Sequence, residues 1–290
     1  MALLPPFFLD TVVAIGVGED PSKRSWIGTG FLYGLFAEEL EDSKKTYTIF
    51  LMSNKHVLEG NKHIWLKFNS AEDESSDDYS INLVARNGRN LWVGHPDPQI
   101  DIGALFINAQ ALKNEKRRFA YFKSDEHTSS SKEMKAIGIT EGDGIFILGF
   151  PMGMVDETRQ YAICRSGCIA RIRDNLDGIS NRFLVDAFVF PGNSGGPVVL
   201  QPTAIAIEGT RTIKKADLIG IVQSYIPYQD IAMSRQTRTP RIVFEENSGL
   251  ASVISSQYIE ETAIIARKRL KARISSAKRR AKKQNKKKNP

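Results

Sequence analysis

The sequence predicts an all-β fold of two six-stranded antiparallel β-barrels, followed by a C-terminal α-helix and a basic tail. Three observations predict it. Short runs rich in Val, Ile, Phe and Trp alternate with turn signals in two blocks of about 110 residues each. Strand-like and helix-like segments do not alternate, which argues against a parallel sheet. From about Ser255 the apolar spacing changes to three and four residues, as on one face of a helix.

The predicted strands follow the apolar runs in order. The first block contains TVVAIGVG, WIGTGFLYGLF, YTIFLMSNKHVL, HIWLKFN, SINLVA and DIGALFI. A polar, locally helical connector covers residues 109–135. The second block contains GDGIFILGFP, QYAICRSGCIARI, NRFLVDAFVF, GGPVVL, AIAIEG, LIGIVQSYI and RIVFEE. These runs predict an N-terminal barrel over residues 1–115, a C-terminal barrel over 116–250, and a helix with a disordered basic tail over 251–290.

The C-terminal segment combines an amphipathic helix with a concentration of positive charge. Its apolar positions are Ile259, Ala263, Ala266, Leu270, Ile274, Ala277 and Ala281. Residues 262–290 contain 13 Lys or Arg and no acid, which leaves residues 1–261 with 27 basic against 33 acidic residues. The chain is therefore an acidic body with a basic tail. The last nine residues have no apolar stripe, and we expect them to be disordered.

Several protein classes are excluded by composition. Two cysteines, Cys164 and Cys168, cannot form a disulfide framework. No apolar run is long enough to span a bilayer, and the N-terminus is predicted to be the first strand rather than a signal peptide. We therefore expect a cytoplasmic location. The sequence has no metal-ligand motif and no complete glycine-rich nucleotide motif, so we expect no metal and no cofactor.

A glycine-rich turn carries the sharpest chemical signal. Ser194 lies in Pro191-Gly192-Asn193-Ser194-Gly195-Gly196-Pro197. A serine on such a turn is exposed, and the backbone N–H groups of the Gly192-Asn193-Ser194 turn, those of Gly192 and Ser194 in particular, are free to hold an oxyanion. The same residues match the G-x-S-x-G elbow of α/β-hydrolases. That fold places its histidine after the serine, whereas all four histidines of this chain precede Ser194.

A serine nucleophile needs a base and a carboxylate to orient it. His56 follows an apolar run, at a predicted strand end where a general base belongs. Asp101 immediately precedes the run IGALFI and would be paired if it held the Nδ1–H of His56. Asp97 is a nearby alternative, but Pro98 follows it, which is typical of a turn. We expect the three side chains to converge in one crevice, with the hydroxyl touching the imidazole.

These motifs resemble those of the trypsin-like, double-barrel serine peptidases, especially the bacterial branch that includes the HtrA (Deg) proteases. Four motifs match in order, and two supporting segments, residues 142–151 and 220–222, match as well. The four motifs are Gly28-Thr29-Gly30-Phe31, Ser53-Asn54-Lys55-His56-Val57, Asp101-Ile102-Gly103-Ala104-Leu105 and Gly192-Asn193-Ser194-Gly195-Gly196-Pro197. The resemblance spans about residues 10–255 and implies a chymotrypsin-like fold.

The resemblance also implies roles for single residues. His56 would be the general base and then the acid, Asp101 the orienter and Ser194 the nucleophile. Asn193 stands where secreted trypsins carry an aspartate that pairs with a newly cut N-terminus, so we expect no such zymogen switch. The last 35 residues leave no room for a PDZ domain.

The resemblance also suggests where substrate would bind. Phe188 and Val189 would line the base of the specificity pocket, with Phe190 beside its entrance, which favours an apolar P1 residue. The strand residues Gln223, Ser224 and Tyr225 would pair with the substrate backbone. The expected substrate is a protein or peptide.

Two questions stay open at the level of sequence. The basic segment 262–290 could bind nucleic acid, an acidic protein partner (including the acidic body itself) or, as the least favoured partner, an anionic membrane; alternatively, it is a solvated helix end. The whole chain could also be a catalytically silent protease fold that acts as a basic-tailed adaptor. The main hypothesis is a serine endopeptidase that works through an acyl-enzyme.

Overall fold

The computed structural model describes residues 3–288 apart from Glu74, Glu157 and Ala206, with side chains as far as Arg279. It shows a first lobe of nine strands, a second lobe of six strands and a long C-terminal helix that contacts both. The predicted all-β class with a C-terminal helix is confirmed.

The first lobe is built largely from the apolar runs of the first block, since β-branched and aromatic residues suit a pleated, half-buried surface. Its strands are β1 (Val12–Val17), β2 (Ser25–Glu39), β3 (Lys45–Ser53), β4 (His63–Ser70), β5 (Ser76–Asn82), β6 (Val93–Gly94), β7 (Gly103–Phe106), β8 (Arg117–Arg118) and β9 (Phe122–Lys123).

The strand order of the first lobe differs in detail from a closed six-stranded barrel. The hydrogen-bonded path is β5-β4-β1-β2-β3-β7-β6, with β8 beside β4 and β9 beside β2. Six of the nine strands exceed two residues. The path is open between β5 and β6 in the described part of the chain, because the segment between them turns back on itself through the bridge Val84–Asn90. Strands β8 and β9 also carry this sheet beyond residue 115, the predicted end of the first barrel.

The second lobe is a closed antiparallel barrel with the order β10-β11-β12-β15-β14-β13. Its six strands confirm the second predicted barrel. They are β10 (Gly144–Gly149), β11 (Ile163–Arg171), β12 (Arg182–Asp186), β13 (Pro197–Leu200), β14 (Leu218–Met233) and β15 (Pro240–Ser255). The long strands β14 and β15 continue past the barrel as an exposed two-stranded ribbon.

One predicted strand of the second block is wrong. The run at 204–209 forms one bend and a turn in its described residues, with Ile205 and Ile207 82% and 75% exposed. Its apolar residues find no neighbouring strand to pack against, because β13 pairs directly with β14 in the closed barrel. An apolar run without a partner does not become a strand.

In the part of the chain that the structure describes, five α-helices accompany the strands. They are α1 (Lys55–Leu58), α2 (Ala109–Asn114), α3 (Ser131–Ile137), α4 (Arg173–Leu176) and α5 (Ser256–Lys288). Helix α2 and helix α3 lie in the connector predicted to be locally helical. No helix among the described residues is long and apolar enough to cross a bilayer.

Helix α5 starts where the change in apolar spacing predicts it. Ile259, Ala263 and Ala266 are buried against the lobes, whereas Ile274 is 47% exposed. The predicted apolar face is therefore used only in the first half of the helix. The helix then continues to Lys288, into residues for which we expected disorder, because Lys, Arg, Ala and Gln are all good helix formers.

The two lobes share one apolar cluster. It contains Phe31 and Phe50 from the first lobe, Ile221 and Ile254 from the second, and Ile259 from α5. Each of the five is fully or almost fully buried. The crevice between the lobes thus rests on a continuous packed base, which fixes the position of side chains on either side of it.

Candidate active site

His56 is held at the rim of the crevice by a single helical turn. Strand β3 ends at Ser53, and α1 follows at once. Val57 and Leu58 are buried in the first lobe and anchor this turn, whereas the His56 side chain is 51% exposed. The Asn54 amide donates to the backbone oxygen of Asp101 at 2.8 Å and ties the turn to the segment that precedes β7.

Asp101 meets His56 because β3 and β7 are paired, with Ser53 opposite Gly103. The buried side chains of Ile100 and Ile102 fix the backbone on both sides of Asp101. Its Oδ2 lies 2.5 Å from His56 Nδ1, and its Oδ1 accepts the His56 backbone N–H at 3.2 Å. A carboxylate can only accept hydrogen bonds, so Nδ1 carries the proton and Nε2 of a neutral ring is free to accept one.

Asp97, the alternative partner of His56, has no described hydrogen bond to the imidazole. Its Oδ1 accepts the backbone N–H of Gln99 at 2.8 Å, and its backbone oxygen accepts from Lys55 Nζ at 3.2 Å. These are the contacts of a turn residue, as the following proline indicates. The structure therefore pairs His56 with Asp101.

Ser194 lies on the opposite side of the crevice, in a turn that requires glycine. Gly192 has φ +97° and Gly195 has φ +86°, both in the left-handed region. A Cβ at Gly195 would collide with the Thr29 carbonyl and the Ser53 hydroxyl. The backbone oxygen of Ser194 accepts the Thr29 N–H at 2.9 Å, which fixes the serine turn to β2 of the first lobe.

The turn presents two backbone donors. Asn193 N–H donates to Phe190 O at 3.0 Å and Gly195 N–H to Val222 O at 3.0 Å, whereas the N–H groups of Gly192 and Ser194 have no acceptor among the described residues. The neighbouring carbonyls of this turn accept hydrogen bonds from other segments of the protein. Pro191 O accepts the Met152 N–H at 2.5 Å, and Gly192 O accepts the Thr29 hydroxyl at 2.6 Å. Two free N–H groups in one turn form a concavity suited to an anion.

The Ser194 hydroxyl does not touch the imidazole, contrary to expectation. It donates to the backbone oxygen of Gln223 at 3.2 Å, and no hydrogen bond joins it to His56 in the described structure. A serine hydroxyl rotates about one single bond and can donate to different acceptors. Here the acceptor is a strand carbonyl rather than the ring nitrogen.

The residues predicted to bind substrate are only partly brought together. Phe188, 53% exposed, and Phe190 lie on one face with their ring centroids 6.5 Å apart, and Arg165 lies over the Phe190 ring at 5.4 Å. Val189 is instead 1% exposed and packs in the core of the second lobe. Side chains alternate in an extended segment, so Val189 points to the opposite face and does not line an open pocket.

Gln223, Ser224 and Tyr225 lie on an available strand edge. Strand β13 pairs with β14 only as far as Ile221, while β15 occupies the other edge of β14. The backbone of Val222 is bonded to Gly195 and Gly196 of the serine turn, and beyond Val222 the backbone of β14 faces the crevice beside Ser194. An extended peptide can add to such an edge as a further antiparallel strand.

Comparison with known proteins places the chain in a family. The family model of the trypsin-like peptidase domain matches residues 28–203, which include His56, Asp101 and Ser194. This match covers more than half of the chain. The protein belongs to the trypsin-like peptidase domain family.

A solved structure similar to this member of the trypsin-like peptidase domain family is that of the HtrA-type protease AlgW with a tripeptide. The TM-score is 0.44 and the sequence identity 19%. The alignment covers 88% of this chain and 59% of the other, so this chain matches little more than half of that protein's length.

Thr29 of this trypsin-like peptidase domain is a supporting residue whose role the sequence motifs do not by themselves reveal. Thr29 is fully buried, and its hydroxyl donates to Gly192 O at 2.6 Å and accepts the Phe150 N–H at 3.1 Å. Its backbone oxygen accepts the Ser53 hydroxyl at 2.7 Å. The motif Gly28-Thr29-Gly30 could have indicated this role. Glycines in a strand allow another backbone to approach closely, and the threonine between them can then bond to that backbone.

Replacing Thr29 with valine is expected to lower kcat about 10-fold to 100-fold. Valine keeps the shape but leaves the Gly192 carbonyl and the Phe150 N–H unsatisfied in a buried place, which costs about 1–3 kcal/mol for each group. The Gly192 carbonyl is then free to turn, and the oxyanion donors lose their alignment. The measurement is steady-state hydrolysis of a peptide or ester substrate, with thermal unfolding to separate lost alignment from lost stability. Thr29→Ser keeps the hydroxyl and should stay near wild type; equal losses in both variants would contradict this role.

Proposed function

We propose that this chain is a serine endopeptidase in which His56, Asp101 and Ser194 form a catalytic triad. The observation that carries the proposal is the 2.5 Å contact of His56 Nδ1 with Asp101 Oδ2, across the crevice from a serine turn with two free N–H groups. Membership of the trypsin-like peptidase domain family supports hydrolysis of peptide bonds. The expected substrate is a protein or peptide, and none of the proposed steps calls for a metal or cofactor.

Substrate binding prepares the nucleophile in this proposal. A substrate strand adds to the edge of β14 at Gln223–Tyr225, and its P1 N–H donates to Gln223 O. That carbonyl now holds the Ser194 hydroxyl at 3.2 Å. Competition for the carbonyl releases the hydroxyl, which turns to His56 Nε2, the ring nitrogen that Asp101 leaves unprotonated.

The chemical steps then follow from the positions of the three residues. Ser194 Oγ attacks the scissile carbonyl carbon while His56 Nε2 takes its proton. The N–H groups of Gly192 and Ser194 hold the oxyanion, where removal of one such donor costs about 10²–10³ in kcat in other enzymes. His56 returns the proton to the leaving amine, and an acyl-enzyme forms on Ser194. Water, deprotonated by His56, then attacks the ester and releases the acid.

The exposed ring of Phe188 and the half-buried ring of Phe190 beside the serine turn favour an apolar P1 residue. Phe188 and Phe190 present adjacent faces, and the ring of Phe188 also approaches Gly249 of β15. The carboxylate of Asp186 also approaches Gly249, so one acid lies at the edge of these rings. We propose that P1 packs on these two rings, with Phe188 limiting its size.

The variant Phe188→Ala is expected to shift the P1 preference towards larger apolar side chains. Removing the ring opens space for roughly one additional large side chain, and each methylene gained there is worth about 10-fold or more in kcat/KM. The measurement is a peptide series that differs only at P1, from Ala through Val and Leu to Phe. Ile179→Ala, which removes an exposed apolar side chain from a turn after α4, is the control. An unchanged P1 profile in Phe188→Ala would show that P1 binds elsewhere.

A second candidate function is a catalytically silent protease fold that acts as an adaptor. The Ser194 hydroxyl on Gln223 O, rather than on His56, is the observation that favours it. Pre-steady-state hydrolysis of a p-nitrophenyl ester separates the two. The endopeptidase releases a burst of about one nitrophenolate per chain, followed by slower turnover. The adaptor releases no burst and cleaves no member of a peptide pool, and that result would overturn the endopeptidase proposal.

A further inference from the structure

The second half of α5 leaves the body of the protein. Arg267 donates to Phe36 O at 2.6 Å, and Arg273 donates to Asn90 O at 2.7 Å and to Leu91 O at 3.3 Å. These contacts fasten the helix to the first lobe. From Ile274 onward each residue with a described side chain is exposed. Residues 274–288, here called the projecting segment, therefore extend about 22 Å at the usual helical rise.

The projecting segment is strongly and uniformly positive. Eight of its 15 residues are Lys or Arg, and none is Asp or Glu. Like charges three and four residues apart destabilise an isolated helix, so this segment gains from any ligand that neutralises it. Among the side chains that the structure describes, no ion pair joins an α5 cation to a carboxylate. Lys278 and Arg279, the two cations of the projecting segment whose side chains the structure describes, are therefore not paired with the acidic body.

The positive surface begins on the body itself. Arg269 and Arg273 of α5 lie near Arg89 in the loop between β5 and β6. Burial, and then the charges of Arg269 and Arg89, lower the pKa of Arg273. Mutual repulsion of this kind marks a group of cations without a counter-ion. The group lies where the projecting segment begins, so the positive charge of the segment starts at the body of the protein.

The residue types of the projecting segment favour some anionic ligands over others. A helix that lies in a membrane interface needs a broad apolar face with large side chains. Ile274 is the only large apolar residue here, and Ala277 and Ala281 are small. At 100° per residue, the eight cations spread around most of the helix circumference rather than along one stripe. Such a helix suits a ligand that presents anions on two sides at once.

We propose that the projecting segment binds duplex DNA by lying in the major groove, with its Lys and Arg side chains on the phosphates of both walls. The major groove is about 12 Å wide and admits a helix of about 10–12 Å diameter. Continuous basic helices dock on DNA in this way. Contacts to phosphate carry no sequence information, so binding is non-specific and salt-dependent. The inference is independent of the proposed peptidase activity.

Fluorescence anisotropy of the full chain with a labelled 20-base-pair mixed-sequence DNA duplex tests it. Ser194→Ala is the background throughout, so that self-cleavage cannot alter the tail. About six phosphate contacts predict a loss of affinity of about 10³-fold between 50 and 200 mM salt. Neutralising the eight cations of the projecting segment to glutamine, which keeps helix propensity, should weaken binding at least about 100-fold at 50 mM salt and flatten the salt dependence.

A matched control removes the same charge elsewhere. Eight exposed cations of the body are changed to glutamine, namely Lys23, Lys44, Lys62, Lys113, Lys132, Lys214, Arg235 and Arg241. This variant has the same net charge and should bind within about 3-fold of the background chain, because phosphate contacts are local. An equal loss in both variants would overturn the proposal, since net charge alone would then explain binding.

Three other anionic ligands test whether the projecting segment prefers DNA to RNA, to a membrane or to an acidic protein. Duplex RNA of the same length should bind more weakly, because its major groove is too narrow for a helix. Phosphatidylcholine vesicles with 30% phosphatidylserine, and poly-glutamate at equal charge concentration, should bind more weakly still. Equal affinity for the RNA duplex would overturn the groove-bound helix. Tighter binding of the vesicles or of poly-glutamate would replace DNA by a membrane or by an acidic protein.

Discussion

Ser194→Ala is expected to abolish both the ester burst and peptide turnover while leaving the protein folded. Loss of the nucleophile removes the acyl-enzyme, and in enzymes of this chemistry it costs about 10⁶ in kcat. The fold should survive, because the contacts that hold the serine turn are made by its backbone: Thr29 N–H to Ser194 O at 2.9 Å and Gly195 N–H to Val222 O at 3.0 Å. The measurement is single-turnover and steady-state hydrolysis beside a thermal unfolding curve.

A matched serine on the same protein controls for the loss of a hydroxyl. Ser166 is exposed on β11 of the second lobe, and none of the hydrogen bonds that hold the serine turn involves it. Ser166→Ala should keep full activity. Turnover by Ser194→Ala within about 10-fold of wild type would show that another group attacks the substrate.

Asp101→Asn is expected to lower kcat about 10⁴-fold. The carboxylate now accepts from both His56 Nδ1 and the His56 backbone N–H, at 2.5 and 3.2 Å. An amide in the same place keeps one acceptor oxygen for the backbone N–H and presents its NH₂ to Nδ1. The ring must then carry its proton on Nε2, and it loses the lone pair that accepts the serine proton. The measurement is kcat at saturating substrate, with KM recorded separately.

Asp97→Asn is the control for this substitution. Asp97 is the other acid close in sequence, but its carboxylate accepts from Gln99 N–H and has no described bond to His56. Its replacement should change kcat less than about 2-fold. If kcat fell equally in the two variants, the loss would be due to the negative charge near the crevice and not to the orientation of the imidazole.

Much of the fold follows from local patterns in the sequence. Runs such as TVVAIGVG form strands where predicted because each residue of β1 is buried or half-buried against two neighbouring strands. The run at 204–209 is also largely apolar but forms no strand in its described residues, since no strand edge is left for it. Helix α5 continues further towards the C-terminus than predicted. A segment without an apolar stripe does not pack against the protein, but it can still be helical.

The contact of His56 with Asp101 was predictable from the sequence, whereas the position of the Ser194 hydroxyl and the burial of Val189 were not. The chain order of histidine, aspartate and serine is a property of sequence, and the register of β3 with β7 then brings His56 to Asp101. The hydroxyl of Ser194 rests on Gln223 O because rotamers depend on local acceptors that no motif encodes. Thr29 was missed for a related reason: its two hydroxyl bonds join residues 163 and 121 positions away.

The most direct test of the triad is to locate the site of covalent labelling by a fluorophosphonate. The probe forms a bond to phosphorus only with a serine oxygen that a base has activated, so it reports nucleophile and base together. Intact-protein mass spectrometry of the wild type should show one adduct per chain, and peptide mapping should place it on Ser194. Labelling should vanish in Ser194→Ala and become at least about 10³-fold slower in His56→Ala. A well-folded wild type that takes up no label, or that carries it on another residue, would contradict the proposed endopeptidase.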